Sequence, residues 1–253
     1  ALEEVRRRLF RAVDIRMRAD VPIAFCLSGG IDSAVSAALA ARAFGPENVL
    51  AVMLPYRTSN PDSEGDAKTV AAAIGLPTRL VDISAMADGY LDGAPQGPIE
   101  APMRRGNVMA RCRMIVLYDL SVEWSGLVIG TSNKTEILLG YSTQFGDAAS
   151  ALNPLGDLYK HQVFQLAEHL GLPLEVINKA PSADLFEGQT DEDELGFSYE
   201  EVDRLLVKMI DERWTEEELV ADGFELGFVK LVANRIAANQ YKRLPPIIAK
   251  LGP

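Results

Sequence analysis

The stretch that decides the fold is Pro22–Ser33, which reads PIAFCLSGGIDS. Its first half is a short apolar run with a proline before it and Ser-Gly-Gly after it, a pattern typical of a buried strand. The following residues, Ile31–Phe44, are rich in Ala and Leu and end at Gly45-Pro46, which predicts a helix with its stop signal. A strand, a glycine turn and a helix are therefore predicted in immediate succession.

The same alternation recurs along the chain. Three more strands are predicted, at Val49–Leu54, Thr78–Ile83 and Gly126–Gly130. Helices are predicted at Asp62–Ile74, Asn107–Trp124 and Lys134–Leu139. Strands that alternate with helices of this length indicate an α/β fold, a parallel sheet with helices on both faces and right-handed crossovers.

The flanking regions follow a different pattern. Leu2–Arg18 is charged and amphipathic, which predicts a surface helix, and the C-terminal third is helical. Ser198–Glu201 and Thr215–Glu218 both have the sequence of a capping box. Two segments without periodicity, Gly140–Asn153 and Ser182–Gly196, are predicted to be loops.

Composition narrows the class of protein. The 253 residues, 48% of them hydrophobic, suffice for one sizeable domain over residues 1–253. A net charge of −11 without a stripe of Lys and Arg argues against nucleic acid as the main partner. Because there is no signal peptide, no membrane-spanning run and no metal or redox spacing of Cys26 and Cys112, we expect a cytoplasmic protein with two inert thiols.

The most informative residues are Ser28-Gly29-Gly30-Ile31-Asp32-Ser33. They lie at the carboxyl end of a parallel strand, where open α/β sheets bind ligands. Glycines, serine hydroxyls and the N–H groups of a starting helix together predict a phosphate or pyrophosphate site. The Walker A and dinucleotide-binding patterns are absent, and Asp32 adds a carboxylate suited to Mg²⁺. The alternative is a plain turn in which Asp32 and Ser33 only cap the helix.

This turn resembles the pyrophosphate loop of the ATP pyrophosphatases, which split ATP between its α- and β-phosphates. The group includes amide-forming synthetases and tRNA-modifying thiolases, so the resemblance implies ATP as a substrate and leaves the acceptor open. It also implies the Rossmann-like three-layer sandwich of the adenine nucleotide alpha hydrolase-like fold.

Five further blocks resemble motifs of the ammonia-dependent NAD synthetases, in family order and near family spacing from Val21 to Pro246. They are Arg105–Met114, Gly130–Glu136, Asn153–Lys160, Pro181–Leu185 and Gln189–Gly196. The resemblance implies that nicotinic acid adenine dinucleotide, ATP and ammonia give NAD, AMP and pyrophosphate through an acyl-adenylate. It also implies a homodimer. The length leaves no room for a glutaminase domain, so we expect ammonia to come from outside this chain.

The resemblance implies roles for individual residues. ATP would be bound by Cys26, Leu27, Ser28, Gly29, Gly30, Ile31, Asp32, Ser33, Thr131, Lys160 and Ser182. Asp32 and Glu136 would bind Mg²⁺, and Asp32 and Lys160 are the candidate catalytic residues. The carboxylate substrate would be bound by Arg111 of the neighbouring subunit, Gln144, Tyr241 and Lys242.

Each of these assignments has a plainer alternative. Glu136 could be an ordinary solvated carboxylate near a helix start, and Lys160 could be a surface lysine. Arg111 and Arg113 could pair with acidic neighbours.

Three positions depart from the family pattern, and all concern the second substrate. Gln144–Ala149 reads QFGDAA where the family has Lys-Tyr-Gly-Asp-Gly-Gly, Ala151 replaces an aspartate, and Tyr241-Lys242 replaces His-Lys. These changes fit drift within the NAD synthetases, which we favour. They also fit a related amide synthetase for another carboxylate, such as nicotinic acid mononucleotide.

Two other classes of protein fit the sequence less well. The acidic charge and the lack of a catalytic cysteine pair speak against a tRNA-thiolating enzyme. Asp32, Glu136 and Lys160 speak against a non-catalytic nucleotide-binding regulator.

Overall fold

A parallel sheet lies at the centre of the computed structural model, which describes residues 22–93, 101–182 and 190–245 together with Arg7 and Ile248. Within these residues the strands are β1 (Ile23–Cys26), β2 (Val49–Met53), β3 (Thr78–Leu80) and β4 (Leu127–Ile129). Their order in the sheet is β3-β2-β1-β4, and all neighbours are parallel. The helix predicted at Leu2–Arg18 falls outside the described residues.

Helices follow each strand. Their bounds are α1 (Ile31–Phe44), α2 (Pro61–Ile74), α3 (Ser84–Leu91), α4 (Ala101–Glu123), α5 (Lys134–Leu139), α6 (Lys160–Leu170), α7 (Leu174–Ile177), α8 (Asp191–Leu195), α9 (Tyr199–Leu206), α10 (Glu216–Ala221) and α11 (Leu226–Ala238). Short 3₁₀ turns lie at Pro46–Asn48 and Gln240–Arg243, and a π-helical turn at Val207–Asp211 continues α9. The predicted bounds of α1 and α5 are confirmed.

The strand order reverses between β1 and β4. Phe25 in β1 pairs with Ala51 of β2 on one side and with Ile129 of β4 on the other. Chain connections leave the two strands in opposite directions, so a crevice opens at their carboxyl ends. This topological switch point is where open α/β sheets bind their ligands.

Both faces of the sheet are covered, which confirms the predicted three-layer sandwich. Ile23 and Phe25 pack with α1 and α6 on one face, while Ala24 packs with α3 and α4 on the other. All three side chains are fully buried. Strands that are apolar on both faces are typical of a parallel sheet enclosed by helices.

The C-terminal helices form a third apolar cluster around α5. Leu139 of α5 packs there with residues of α9, α10 and α11. Thr215 and Glu218 form the predicted capping box at the start of α10 with both reciprocal bonds, 3.3 and 2.7 Å long. Ser198 caps α9 by accepting from the N–H of Glu201 at 3.2 Å.

Three sequence predictions are wrong in part, and one of them is the start of α4, which lies at Ala101 rather than Asn107. The loop predicted at Ser182–Gly196 contains helix α8, because Thr190 caps Asp193 N–H at 3.2 Å and Gly196 ends the helix with φ 82°. Acidic residues in a first helical turn complement the helix dipole, which makes this short helix stable in its setting. Strand β3 ends at Leu80 rather than Ile83 and lies at the sheet edge.

Across the described residues, we find no helix that combines the length and apolar character needed to span a bilayer.

Candidate active site

The glycine turn joins β1 to α1, and its two glycines differ in backbone conformation and in the space around them. Gly29 has φ +77°, and a Cβ there would lie 2.4 Å from the carbonyl oxygen of Ser63, so only glycine fits against α2. Gly30 has extended backbone and precedes α1 without a side-chain cap. Its ideal Cβ would meet only Ser28 Oγ, at 3.5 Å. The open helix start therefore directs N–H donors toward the crevice.

The serines of the turn mainly hold its shape. Ser33 Oγ donates to the carbonyl of Gly30 at 2.9 Å and accepts from the N–H of Ser28 at 3.3 Å. Ser28 Oγ lies 3.2 Å from Ser33 Oγ, and Ser28 is exposed. Ser28 is therefore the serine free to turn its hydroxyl toward an anion, while the hydroxyl proton of Ser33 is committed within the turn.

A buried ion triad lies beside this turn. The Lys160 ammonium contacts Asp32 Oδ2 and lies 3.2 Å from Glu136 Oε1. Only 1% of the Lys160 side chain and 13% of the Glu136 side chain are exposed. The interpretations of Lys160 as a surface lysine and of Glu136 as a solvated carboxylate are therefore wrong. Helices α1, α5 and α6 each contribute one member, across the switch point.

Asn133 orients both carboxylates of the triad. It precedes α5, is fully buried, and donates from Nδ2 to Asp32 Oδ1 at 2.8 Å. Its Oδ1 accepts from Glu136 N–H at 3.0 Å, and Glu136 Oε2 accepts from Asn133 N–H at 3.3 Å. We did not single out Asn133 from the sequence, although the Asn-x-x-Glu spacing of a capping box marks it.

The start of α6 is held by a second buried carboxylate. Lys160 N–H donates to Thr135 Oγ1 at 3.0 Å, and Thr135 donates to Asp203 Oδ1 at 2.5 Å. The other oxygen of Asp203 accepts from His161 N–H at 2.8 Å and lies 2.9 Å from His161 Nδ1. Asp203 thereby fixes the helix turn that presents Lys160. His161 itself is half-exposed, with its ring nitrogen bonded to Asp203.

The site has an excess of buried negative charge. Burial, and then the charge of Asp32, raise the pKa of Glu136 to about 8, against the opposing effect of Lys160. Burial acts to lower the pKa of Lys160, but the charges of Asp32 and Glu136 outweigh it and raise that pKa. Two carboxylates sharing one ammonium would be relieved by a further cation.

Two tyrosines and Asp191 adjoin the triad, and sequence reasoning missed all three. Asp191 is buried and accepts from Tyr199 at 3.0 Å and from Tyr141 at 3.1 Å. Burial raises the pKa of Asp191, while Lys160 and the two tyrosine bonds oppose that change. The ring centre of Tyr199 lies 4.9 Å from Lys160 Nζ, a cation–π contact.

A cleft of about 1700 Å³ extends from the switch point. Single-ligand sites typically measure about 300–1,000 Å³, so this cleft has room for two nucleotides. The predicted residues that line it are Cys26, Ser28, Gly30, Ile31, Asp32, Ser33, Thr131, Glu136, Lys160, Ser182 and Lys242. Leu27 is buried beneath the turn, and Gly29 faces α2.

The predicted substrate residues are more scattered. Arg111 is exposed and donates to the main-chain oxygen of Gln144 at 3.2 Å, and Tyr241 is 56% exposed. These three lie outside the cleft lining of the described chain. Lys242 lines the cleft, donates to the carbonyls of Gly140 and Ser142 at 2.7 Å, and has a pKa lowered by burial.

For Arg113, the plainer alternative was a pairing with acidic neighbours, and the structure shows other contacts. Its Nε donates to the carbonyl of Leu54 at 3.0 Å, and its Nη2 lies 3.5 Å from Ser59 Oγ. Like Arg111, it therefore binds a main-chain oxygen.

An open parallel sheet with an uncapped glycine turn, a buried lysine and paired carboxylates at its switch point defines a nucleotide-binding α/β enzyme. A family model described as NAD synthase matches residues 15–246. This chain belongs to the NAD synthase family.

Three relatives illustrate the match. The NH(3)-dependent NAD(+) synthetase of Trichlorobacter lovleyi is 57% identical over 225 residues, 89% of this chain and 81% of that protein. An NH3-dependent NAD synthetase from Campylobacter jejuni, solved with nitrate, is 31% identical, with TM-score 0.81 over 99% of this chain and 100% of that one. The NMN synthetase of Francisella tularensis is 29% identical, with TM-score 0.84 over 99% of both chains.

Proposed function

We propose that this chain is an ammonia-dependent NAD synthetase, which amidates nicotinic acid adenine dinucleotide at the expense of ATP. The observation that carries this proposal is the Asp32–Lys160–Glu136 triad beside the uncapped glycine turn, in a cleft large enough for both nucleotides. Membership of the NAD synthase family and the 57% identity to a named NH(3)-dependent synthetase support it.

The chemistry has two balanced steps. A carboxylate oxygen of the dinucleotide attacks the α-phosphorus of ATP, and the bond to the β-phosphate oxygen breaks to release pyrophosphate. The nitrogen of ammonia then attacks the acyl carbon, AMP leaves with the bonding electrons, and the nitrogen loses a proton to give the amide of NAD. The first step needs little acid–base catalysis, so positioning and charge stabilisation carry it.

We assign the first step to the groups at the switch point. The N–H groups at the start of α1 would hold the β- and γ-phosphates, and Ser28 would add a hydroxyl donor. Lys160 would stabilise the charge that develops on the phosphates. Thr131 and Ser182 line the same cleft and are proposed as further ATP contacts.

The donor set also fits Mg²⁺. Asp32 and Glu136 supply hard oxygens, and the pKa of Glu136 is raised first by burial and then by the charge of Asp32, both of which a bound cation would offset. Within the described residues no group of three or more His, Cys, Asp or Glu could hold a metal alone. Mg²⁺ commonly uses one or two carboxylates with phosphate oxygens and water. When bound, the metal would neutralise charge on the departing pyrophosphate.

We also propose that two copies pair, and that the enzyme acts in the cytoplasm. Side chains of α4 support pairing, since Ile115, Tyr118 and Val122 recur at helical spacing and are exposed. Arg111 lies on the same helix, exposed, where it would be available to the neighbouring subunit.

The decisive experiment mixes purified protein with ATP, Mg²⁺, ammonia and nicotinic acid adenine dinucleotide, and measures AMP, ADP and NAD by chromatography. We expect equal amounts of AMP and NAD, and no NAD from Asp32→Asn. Formation of ADP instead of AMP would overturn the proposal.

Nicotinic acid mononucleotide is a second candidate acid. The match to an NMN synthetase and the departures at Gln144, Ala151 and Tyr241 favour testing it. The ratio of kcat/KM for the two acids in the same assay decides between them. A ratio in favour of the mononucleotide would move the assignment to that acid and leave the ATP chemistry unchanged.

A further inference from the structure

Lys179 is a cation at the glycine turn that the roles above leave without a function. It follows α7, lines the cleft, and its side chain is 26% exposed. Its Nζ donates to Asp66 Oδ2 at 2.7 Å and to Ser63 Oγ at 3.2 Å. Both acceptors lie on α2, so Lys179 is held in place at the cleft wall.

The residues that hold Lys179 also support the glycine turn. A Cβ on Gly29 would lie 2.4 Å from the carbonyl oxygen of Ser63 and 3.0 Å from Cβ of Asp66. The turn thus rests directly on the two residues that bind the Lys179 ammonium. This contact places the ammonium beside the turn that receives the phosphates.

The charge balance gives Lys179 a task. Lys160 is already shared between Asp32 and Glu136, so the triad offers no net positive charge to a pyrophosphate. Among the residues that the structure describes, Lys179 pairs with one carboxylate, that of Asp66. A lysine ammonium has three N–H donors, and the contacts with Asp66 and Ser63 use two of them. Its partial exposure lets the third donor reach into the cleft.

We propose that Lys179 binds the β- and γ-phosphates of ATP and the departing pyrophosphate, with Asp66 and Ser63 as its positioning residues. The assignment rests on the proposed function, since it requires ATP to be cleaved at this turn. Two lysines then act on the phosphates from different positions. Lys160 lies buried between the two carboxylates, and Lys179 lies at the cleft wall, where Asp66 and Ser63 hold it.

The competing explanation is structural: the Lys179–Asp66 pair would only fasten the segment after α7 to α2. The two explanations differ in one measurable property. A fastening role changes the melting temperature and leaves pyrophosphate affinity alone, whereas a ligand role changes pyrophosphate affinity whatever the melting temperature does.

The test measures binding of inorganic pyrophosphate in Mg²⁺ buffer by titration calorimetry, and its inhibition of amide formation against ATP. Lys179→Met removes the charge and keeps the length, and Lys179→Arg restores a charged donor. Lys68→Met is the matched control, because Lys68 lies on α2, is 58% exposed and pairs with Glu64 away from the cleft lining.

We expect Lys179→Met to bind pyrophosphate about tenfold or more weakly, the usual scale for a lost charge-assisted hydrogen bond. Lys179→Arg should recover most of that affinity, and Lys68→Met should match the wild type. Unchanged pyrophosphate affinity in Lys179→Met, or no binding to the wild type, would overturn the assignment. Failure of the proposed function has a different result: the wild type forms no NAD in the assay, while calorimetry still shows weaker pyrophosphate binding by Lys179→Met than by the wild type.

Discussion

At the residue scale, the protonation of Glu136 is the property that most distinguishes this site. A carboxyl group buried beside another carboxylate holds its proton far above the usual range, and here the pKa reaches about 8. Its ordinary value is 4.5, so between these two values the folded protein binds more protons than the unfolded chain. The free energy of unfolding contributed by this group is therefore complete below the unfolded pKa and is lost as pH rises through the folded one.

The first prediction concerns this fall in the free energy of unfolding with rising pH. Without metal and nucleotide, the wild type should lose stability relative to Glu136→Gln as pH rises from about 4.5 to 8. In this range the unfolded wild-type chain ionises at Glu136 while the folded protein keeps the proton, and glutamine has no proton to release. Each unit of pKa change corresponds to about 1.4 kcal/mol, and about 1 kcal/mol moves the melting temperature of a chain this size by roughly 2–4 °C. We expect the two melting curves to diverge by several degrees across this range.

The control for this prediction is Glu217→Gln, which changes an exposed carboxylate. Its melting temperature should track the wild type at every pH. Added Mg²⁺ should reduce the divergence between wild type and Glu136→Gln, because the metal favours the ionised carboxylate. Parallel curves for wild type and Glu136→Gln would show that Glu136 is ionised throughout.

The site residues that could be predicted from the sequence are those that lie within a recognisable motif along the chain. Asp32 stands in the glycine turn, and Glu136 stands in a recognisable block. Asn133, Asp191, Tyr199 and Lys179 were missed as individual site residues because their importance comes from contacts across the fold. The bond from Asn133 to Asp32, for example, spans 101 positions.

At the element scale, the position of Lys160, the proposed catalytic lysine, depends on how α6 begins. Asp203 on α9 accepts from the main chain of His161 and from Thr135, which in turn accepts from the main chain of Lys160. Its carboxylate also lies near the positive end of the helix dipole of α6. The C-terminal helices therefore set the position of a group in the nucleotide site.

The second prediction is that Asp203→Ala lowers the free energy of unfolding by about 2–6 kcal/mol, because the buried Thr135 hydroxyl and the part-buried His161 N–H lose their acceptor at about 1–3 kcal/mol each. It should also raise the KM for ATP, since the first turn of α6 presents Lys160. Urea denaturation and initial rates measure the two effects. Glu200→Ala, an exposed change on the same helix, should alter neither. Normal stability in Asp203→Ala would contradict the role of this network.

Helix ends were predictable where a glycine follows the last residue of the helical pattern. Gly45 and Gly140 end α1 and α5, and both helices have the bounds expected from sequence. Helix α8 was missed because its acidic run lacks apolar periodicity, and its stability comes from the Thr190 cap and from burial of Leu195. Strand β3 ends at Leu80 at the edge of the sheet, although Val81 and Ile83 still donate main-chain hydrogen bonds to the carbonyls of Met53 and Pro55.

At the scale of the whole molecule, the parallel sheet and its two covered faces follow from the alternation of strands and helices. This arrangement opens a cleft where the strand order reverses, and residues from several distant parts of the chain line it. Pairing of Lys160 with Asp32 joins residues 128 positions apart. Such contacts depend on the order of strands in the sheet, which periodicity along the chain does not specify.

Arg111 raises a question that only the assembly can answer. It is exposed, bonded to the carbonyl of Gln144, and outside the cleft lining of its own chain. In a two-fold dimer, each subunit offers the same surface to its partner, so an exposed arginine on α4 can complete the partner's site. Arg111 would then act in the neighbouring site and Asp32 in its own.

The last prediction separates these arrangements by mixing two inactive variants, Arg111→Ala and Asp32→Asn, under conditions that exchange subunits. In a mixed dimer, one site combines an intact Asp32 with the partner's intact Arg111, and the other site lacks both. Random exchange at equal concentrations should restore about a quarter of wild-type activity, because about half of the dimers are mixed and each has one complete site. Each variant alone, carried through the same exchange, is the control. If Arg111 serves its own subunit, every site in the mixture lacks one of the two residues, and NAD formation will stay at the level of the separate variants.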